Sequence, residues 1–346
     1  MQLKEIFGSE PRKLGYRAYT DGPIPANKVR VQVEHAAPKH GTEFTHFRGE
    51  DPFMENRYDE EWMCFLPDEE AKKRPFGFRP GNIWVGTITE IGADVKADLK
   101  VGQRVSGYGP LKPTHTTDPG NCRPMLEGMT WKQAVCYDPA QFALGGIRDG
   151  HVRLGDNVAV MGLGAIGLIA AQMAKLSGAA MVIVCDPIEK RRKAALENGA
   201  DVALDPSACD AGLEIRKLTG KRGADVILET SGSYSALQAA IRGCAYAGNI
   251  AVVGWYKECH GALDLGREAH FNQPNILLSR ACSEPNRDYP RWDFARMCKV
   301  CWDMLCSGQL KCENIVDPVV PFEQAADMYM HIEQNPNESV KMGVDF

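Results

Sequence analysis

Long apolar runs are missing from this 346-residue chain. None approaches the roughly 20 residues that a membrane-spanning helix needs, so no membrane partner is expected. A surplus of one charge is missing too. Lys and Arg number 40 against 45 Asp and Glu, a formal net charge of −5, which gives no reason to expect nucleic acid as a partner. The opening "MQLKEIFGSEPRK" lacks the apolar stretch of a secretory signal. There are no internal repeats and no low-complexity segments. Cysteine is plentiful, at twelve, but the residues are spread along the chain rather than packed into a small framework. Without an export signal they read as reduced thiols of a cytoplasmic protein.

What is present is an ordinary globular composition, 44% hydrophobic and 25% charged, in a chain long enough for two domains. The first third is β-rich. "VRVQVEH" alternates as a half-buried strand does, "NIWVGTITEIG" follows with a similar period, and "LKVGQRVSGYG" reads as a turn feeding another strand. From about Gly49 to Pro80 the chain is charged and aromatic with little periodicity, which predicts a long excursion over the surface or over a site. Near Leu154 the character changes. Apolar strand-length runs now alternate with helix-length segments, as a doubly wound parallel sheet requires. The expected division is residues 1–148 with 285–346 as one domain and 149–284 as the other. Amphipathic helices are expected in "PRWDFARMCKVCWDMLCSGQ" and "FEQAADMYMHIEQ", and an edge strand in the final "SVKMGVDF".

"VAVMGLGAIG" places Gly162, Gly164 and Gly167 in GxGxxG spacing, after a strand and at the start of a helix. The first glycine permits the tight turn, the second lets the backbone approach a pyrophosphate, and the third lets helix and strand pack closely. The helix N-terminus, reached through Leu163, Ala165 and Ile166, offers free N–H groups to phosphate. Asp186 ends the next strand, where a carboxylate accepts ribose hydroxyls and repels a 2′-phosphate. NAD is therefore favoured over NADP, although Arg191 and Arg192 just beyond soften that preference.

This order of domains resembles the medium-chain dehydrogenase/reductase superfamily, in its zinc-alcohol-dehydrogenase-like group. "VRVQVEHAAPKHGTE" is similar to that family's first-domain strand and site turn, and "VRLGDNVAVMGLGAIGLIAAQMAKLSGA" to its cofactor segment. "GADVILETSGSYSALQAAIRGCAYAGNIAVVGWY" is similar to the segment beneath the nicotinamide, and "CSGQLKCENIVDPVVPFEQAADMY" to its closing helices. The resemblance implies an α/β architecture: a GroES-like β-rich catalytic domain plus a Rossmann domain, with Thr230, Gly254 and Trp255 joining the glycine loop, Asp186 and Arg191 in holding the cofactor. It also implies a homodimer or homotetramer.

The zinc motifs of the family are altered here. His40 in "HGTE" stands where zinc members have cysteine, Asn82 and Ile83 stand in the His-Glu places, and Asp138-Pro139 takes the place of the Glu-Pro of polyol dehydrogenases. An amide is a poor third ligand for zinc, so no catalytic metal is expected. The four-cysteine structural loop is replaced by the lone Cys122. Cys298, Cys301, Cys306 and Cys312 superficially suggest a substitute, but most of them fall in a helix pattern where cysteine serves as a small hydrophobe.

Hydride transfer without zinc still requires a group that takes the hydroxyl proton and then stabilises the carbonyl. Lys39 or His40 fits that role, with Thr42 as relay by resemblance and Asp138 as orienting group. Each also has an ordinary use: a solvated lysine, a turn-bonding histidine, a helix cap. Glu43 and Asn82 suit substrate hydroxyls, and Trp84, with Trp62 and Trp255, suits the C–H face of a sugar or cyclitol. The leading expectation is an NAD-dependent dehydrogenase of a polyhydroxylated secondary alcohol. A zinc-free quinone or enone reductase and a non-catalytic NAD-binding protein are the alternatives.

Overall fold

The computed structural model describes residues 2–256 and 262–346. Packing divides the chain into two compact units, residues 1–127 with 316–346, and residues 128–315.

Alternation builds the first unit. In β3 (Val29–Ala37) the side chains of Val29, Val31 and Val33 are buried while Gln32 faces water, the period-two pattern of a sheet with one face on the core. β3 pairs with β6 (Gly81–Ile91), and β6 with β7 (Arg104–Pro110) and then β9 (Arg123–Pro124). On the edge of β3 away from β6, β8 (Thr114–Thr117) pairs with Val29–Gln32 and β17 (Lys341–Asp345) with His35 and Ala36, and β16 (Val316–Pro321) follows β17. The final strand, expected at an edge, is therefore interior, because Val344 and Asp345 pair with Ala36 and His35 while its other edge pairs with β16. A ribbon of β1 (Leu3–Glu10) and β2 (Lys13–Tyr19) and the helix α11 (Phe322–Gln334) complete the unit.

Trp84 lies on β6 and is fully buried, stacked on His115 with ring centroids 5.2 Å apart. Gly107 and Gly109 leave the room: a Cβ on Gly107 would stand 2.4 Å from the indole, and one on Gly109 would stand 2.5 Å from the imidazole. Trp84 is thus a core residue and is removed from the substrate-facing set.

The helix α1 (His40–Arg48) leads into the excursion. That segment holds a short hairpin, β4 (Asn56–Asp59) with β5 (Cys64–Pro67), then α2 (Glu69–Lys73). Trp62 at the hairpin tip is 73% exposed. His46 ties the excursion to α1, with Nδ1 3.1 Å from the Asp51 carboxylate, Nε2 3.3 Å from the Gly77 carbonyl, and its ring beside Phe76 and Phe78.

The second unit is a parallel sheet in the order β12 (Val202–Leu204), β11 (Met181–Cys185), β10 (Asn157–Met161), β13 (Ala224–Glu229), β14 (Cys244–Val252) and β15 (Asn275–Leu278). The chain reverses direction of winding between β10 and β13, which makes that pair the switch point where such sheets bind ligands. The connecting helices are α5 (Ala165–Leu176), α6 (Glu189–Glu197), α7 (Ala211–Leu218), α8 (Tyr234–Gly243) and the short α9 (His270–Asn272).

The unit begins and ends outside the expected boundaries at 148/149 and 284/285. α3 (Trp131–Val135), α4 (Tyr137–Asp149) and α10 (Phe294–Cys306) all belong to it. Gly146 explains α4, since a Cβ there would stand 2.6 Å from Val253, so the helix lies directly against the end of the sheet. Tyr137 meets Trp302 of α10 edge-on at 5.3 Å. Cys301 and Cys312 are buried in this packing, burial pushing the Cys301 thiol up to about 12, and the Cys306 thiol rests 3.5 Å from the Met129 sulfur. Among the described residues no helix is long and apolar enough to cross a membrane.

Candidate active site

Two clusters, one in each unit, contain most of the residues singled out above. In the first unit, β3 runs into Pro38 and Lys39, and α1 begins at His40 with Lys39 at its cap. The Lys39 carbonyl accepts the Glu43 N–H at 3.0 Å, closing the first turn. The His40 imidazole stacks on Phe44 at 5.1 Å and meets Tyr329 edge-on at 5.6 Å. Thr42 is exposed on the same turn.

Glu43 takes a different place from the one expected. Its carboxylate accepts the Gly81 N–H at 3.0 Å and the Tyr329 hydroxyl at 3.2 Å, so it braces α1 against β6 and α11 rather than presenting itself to a substrate. Lys341 is buried close by and donates to the Pro38 carbonyl at 2.7 Å. Burial pushes Glu43 up to about 7, against the pull of the Gly81 N–H and of Lys341. Next to Gly81, the amide oxygen of Asn82 is enclosed without a hydrogen-bond partner among the described residues. A buried acceptor of this kind costs free energy until something donates to it, which suits a substrate hydroxyl.

A raised carboxyl pKa has a stability consequence with a definite sign. The folded state holds the Glu43 proton more tightly than the unfolded chain, so the contribution is complete below about pH 4.5 and is lost as pH rises through about 7. Glu43→Gln removes that slope. Thermal melts between pH 4.5 and 8 should show wild type losing on the order of 3 kcal/mol relative to the variant. Parallel curves for the two proteins would mean that Glu43 is ionised throughout.

Asp138 lies in the second unit, buried in the first turn of α4 and ahead of Pro139. The capping position itself belongs to Cys136, so Asp138 is not the helix cap.

The second cluster follows β10. Gly162 adopts φ +88°, a left-handed backbone that favours glycine, and a Cβ there would stand 2.7 Å from the Ser231 side chain. A Cβ on Gly167 would stand 1.9 Å from the Gly162 carbonyl oxygen. At Gly164, by contrast, a Cβ would meet nothing within 4 Å. This glycine caps α5 without a side-chain hydrogen bond, leaving an open cradle beside the N–H groups of Ala165 and Ile166 that fits a pyrophosphate. Thr230 holds the loop from the other side, donating to the Gly162 carbonyl at 2.8 Å.

Asp186 is buried and fixed by two backbone donors, Leu163 at 2.7 Å and Ile188 at 2.8 Å. Each carboxylate oxygen retains a lone pair for a ribose hydroxyl. Arg191 stands 3.9 Å from the same carboxylate, and Arg192 donates to the Asp186 carbonyl and pairs with Asp205. Gly254 and the partly exposed Trp255 follow β14. Sequence reasoning passed over Glu229, the fully buried acid that ends β13 between these segments. The one signal for it was a carboxylate interrupting the apolar run "VILETSG" at a strand end.

For zinc, the residues in the ligand places are an imidazole, an amide and a carboxylate, His40, Asn82 and Asp138. Among the described residues, no group of three or more His, Cys, Asp or Glu is arranged to hold a metal ion. Of the residues that the resemblance puts in the ligand places, the Asn82 amide is the poor donor for zinc.

Residues 165–295 match the family model of zinc-binding dehydrogenases. Over 351 aligned positions the chain is 49% identical to D-guloside 3-dehydrogenase of Escherichia coli K12, covering 99% of this chain and 100% of that protein. An alcohol dehydrogenase of Escherichia coli CFT073 complexed with NADH superposes with TM-score 0.76 at 22% identity, covering 100% and 99% of the two chains. A zinc-binding dehydrogenase of Sinorhizobium meliloti bound to NADP does so with TM-score 0.75 at 17% identity, covering both chains fully. The glycine cradle, the doubly wound sheet that carries it and the full-length relationship together establish that the chain belongs to the medium-chain dehydrogenase/reductase superfamily, in its branch of alcohol and polyol dehydrogenases that work with a nicotinamide cofactor.

Proposed function

We propose that the protein is an NAD-dependent dehydrogenase that oxidises a secondary hydroxyl of a sugar or glycoside without catalytic zinc. The observation that carries the substrate class is the full-length relationship to a protein named for dehydrogenating a D-guloside at its 3-position. NAD supplies the hydride acceptor. The chain's own task is to orient the alcohol and take its proton. Lys39 or His40 at the start of α1 accepts the hydroxyl proton and then donates a hydrogen bond to the developing carbonyl, with Thr42 as relay. The enclosed amide oxygen of Asn82 accepts a second hydroxyl of the substrate. Preference for NAD rests on the buried Asp186, whose charge opposes a 2′-phosphate. We place the enzyme in the cytoplasm as a homodimer or homotetramer, for which β15, the outermost strand of the sheet among the described residues and with Leu278 71% exposed, offers a pairing surface.

The test is NADH formation with gulosides, glucosides, sorbitol, cyclitols and simple secondary alcohols, with and without a strong chelator. Chelator-resistant oxidation of a glycoside is the expected result. Loss of activity on chelation, with recovery on adding zinc, would overturn the zinc-free chemistry. Turnover of quinones or enones with NADPH alone would overturn the substrate class as well.

Cofactor choice has its own test. Asp186→Asn keeps an acceptor for the Leu163 N–H and removes the charge. Relative kcat/KM for NADP over NAD should rise by about tenfold or more, the effect of a single favourable charge interaction. An unchanged ratio would place cofactor discrimination elsewhere.

A further inference from the structure

Glu229 is 0% exposed, and the chemistry above gives it no task. Its surroundings are a converging set of donors. The Ser231 N–H reaches its carboxylate at 2.8 Å and the Gly232 N–H at 3.3 Å, and the Ser231 hydroxyl donates to it as well. The Tyr256 hydroxyl, from the second loop, donates its one hydrogen to the Ser233 carbonyl at 3.0 Å and so ties that loop to the segment that Glu229 holds. No Lys or Arg is among these partners. Burial accordingly raises the Glu229 pKa, against the pull of the Ser231 hydroxyl.

These partners come from two different loops. Ser231, Gly232 and Ser233 follow β13, whereas Tyr256 lies beyond the end of β14. The Glu229 backbone joins the same two segments, its carbonyl accepting the Val253 N–H at 2.7 Å and the Gly254 N–H at 2.9 Å. Gly254 is pressed against this junction. A Cβ there would stand 2.4 Å from the Gly232 nitrogen and 3.0 Å from the Glu229 carboxylate. In a doubly wound sheet, the half on the β10 side of the switch point holds the adenosine part of a dinucleotide and the half beginning at β13 holds the other nucleotide. The two loops that Glu229 gathers border that second half.

We infer that Glu229 is a positioning residue for the nicotinamide half of the cofactor, a buried acid that holds the loop after β13 through Ser231 and Gly232 and the loop after β14 through Val253 and Gly254, with the Tyr256–Ser233 bond closing the clamp. It touches no substrate. Its effect passes through the backbone of Gly232 and Gly254, whose mutual spacing it sets. This assignment rests on the dinucleotide site proposed above.

The experiment compares two ligands. ADP-ribose fills only the half governed by the glycine loop and Asp186, whereas NADH fills both halves. Glu229→Gln retains the shape but brings an amide donor into a site already crowded with donors, so the clamp opens. The expected result is an NADH affinity lowered by about tenfold, the effect of losing one charge-assisted hydrogen bond, with ADP-ribose affinity within about twofold of wild type. Tyr256→Phe should reproduce the selective loss at smaller size, and it carries the test if Glu229→Gln does not fold. Variants that bind NADH as wild type does, or that lose both ligands equally, would overturn the positioning role. Wild-type protein that binds neither ligand would overturn the dinucleotide site itself and this assignment with it.

Discussion

Replacing the base proposed at the head of α1 should lower kcat for the proposed glycoside oxidation by about 10²–10⁴-fold, the range associated with a positioned acid/base group, and leave NADH affinity unchanged. Lys39→Met and His40→Asn separate the two candidates. The variant that removes the base also loses the pH dependence that its ionisation imposes on kcat/KM. The other should lose less than about tenfold, through altered packing at the head of α1. His40 is held between Phe44 and Tyr329, so His40→Asn must be checked by melting as well as by turnover. Two fully active variants would remove the Lys39–His40 turn from the chemistry and return attention to Asp138.

The glycine loop supports an equally large and more selective prediction. Gly167→Ala puts a Cβ 1.9 Å from the Gly162 carbonyl oxygen and 2.8 Å from the Thr230 hydroxyl. Both neighbours are anchored, so α5 must move away from β10, at a cost of about 3 kcal/mol, the upper end for overpacking. Stability and NADH binding should fall together, the latter by about 100-fold if most of that strain opposes the bound geometry. Gly164→Ala is the contrasting case. Its Cβ meets no protein atom within 4 Å, so the melting temperature should be unaffected while the new methyl intrudes on the pyrophosphate cradle and NADH binding is lost. If Gly164→Ala binds NADH normally, the phosphates do not lie over the N-terminus of α5.

These glycines were legible in the sequence because each is demanded locally, by a tight turn, a close helix contact or an open cradle. The doubly wound sheet was legible for a similar reason, since its central strands, β10, β11 and β13, are buried on both faces and read as apolar runs. The boundaries of the second unit were not. Whether α4 and α10 side with one unit or the other depends on contacts such as Gly146 with Val253 and Tyr137 with Trp302, which join residues distant in sequence. Trp84 was misplaced because an aromatic in a strand has the same appearance whether it faces a core or a cleft. Glycines more than twenty residues away decide the matter by leaving it room. Glu43 and Glu229 share a further difficulty. A carboxylate announces polarity, but only the fold determines whether it meets a substrate or a ring of backbone donors.

The position of β17 has a consequence for how the protein is made. Its Val344 and Asp345 pair with Ala36 and His35 of β3, and β16 pairs only with β17. During synthesis the first 127 residues therefore leave the ribosome with β8 already able to pair with Val29–Gln32 but with the His35–Ala36 end of that edge of β3 unpaired, and that end waits until the whole of the second unit has emerged. Domains generally fold as units in the order they appear, so the parallel sheet is complete before the unit that precedes it. The nascent chain carries an exposed strand edge throughout that interval, a ready template for mispairing.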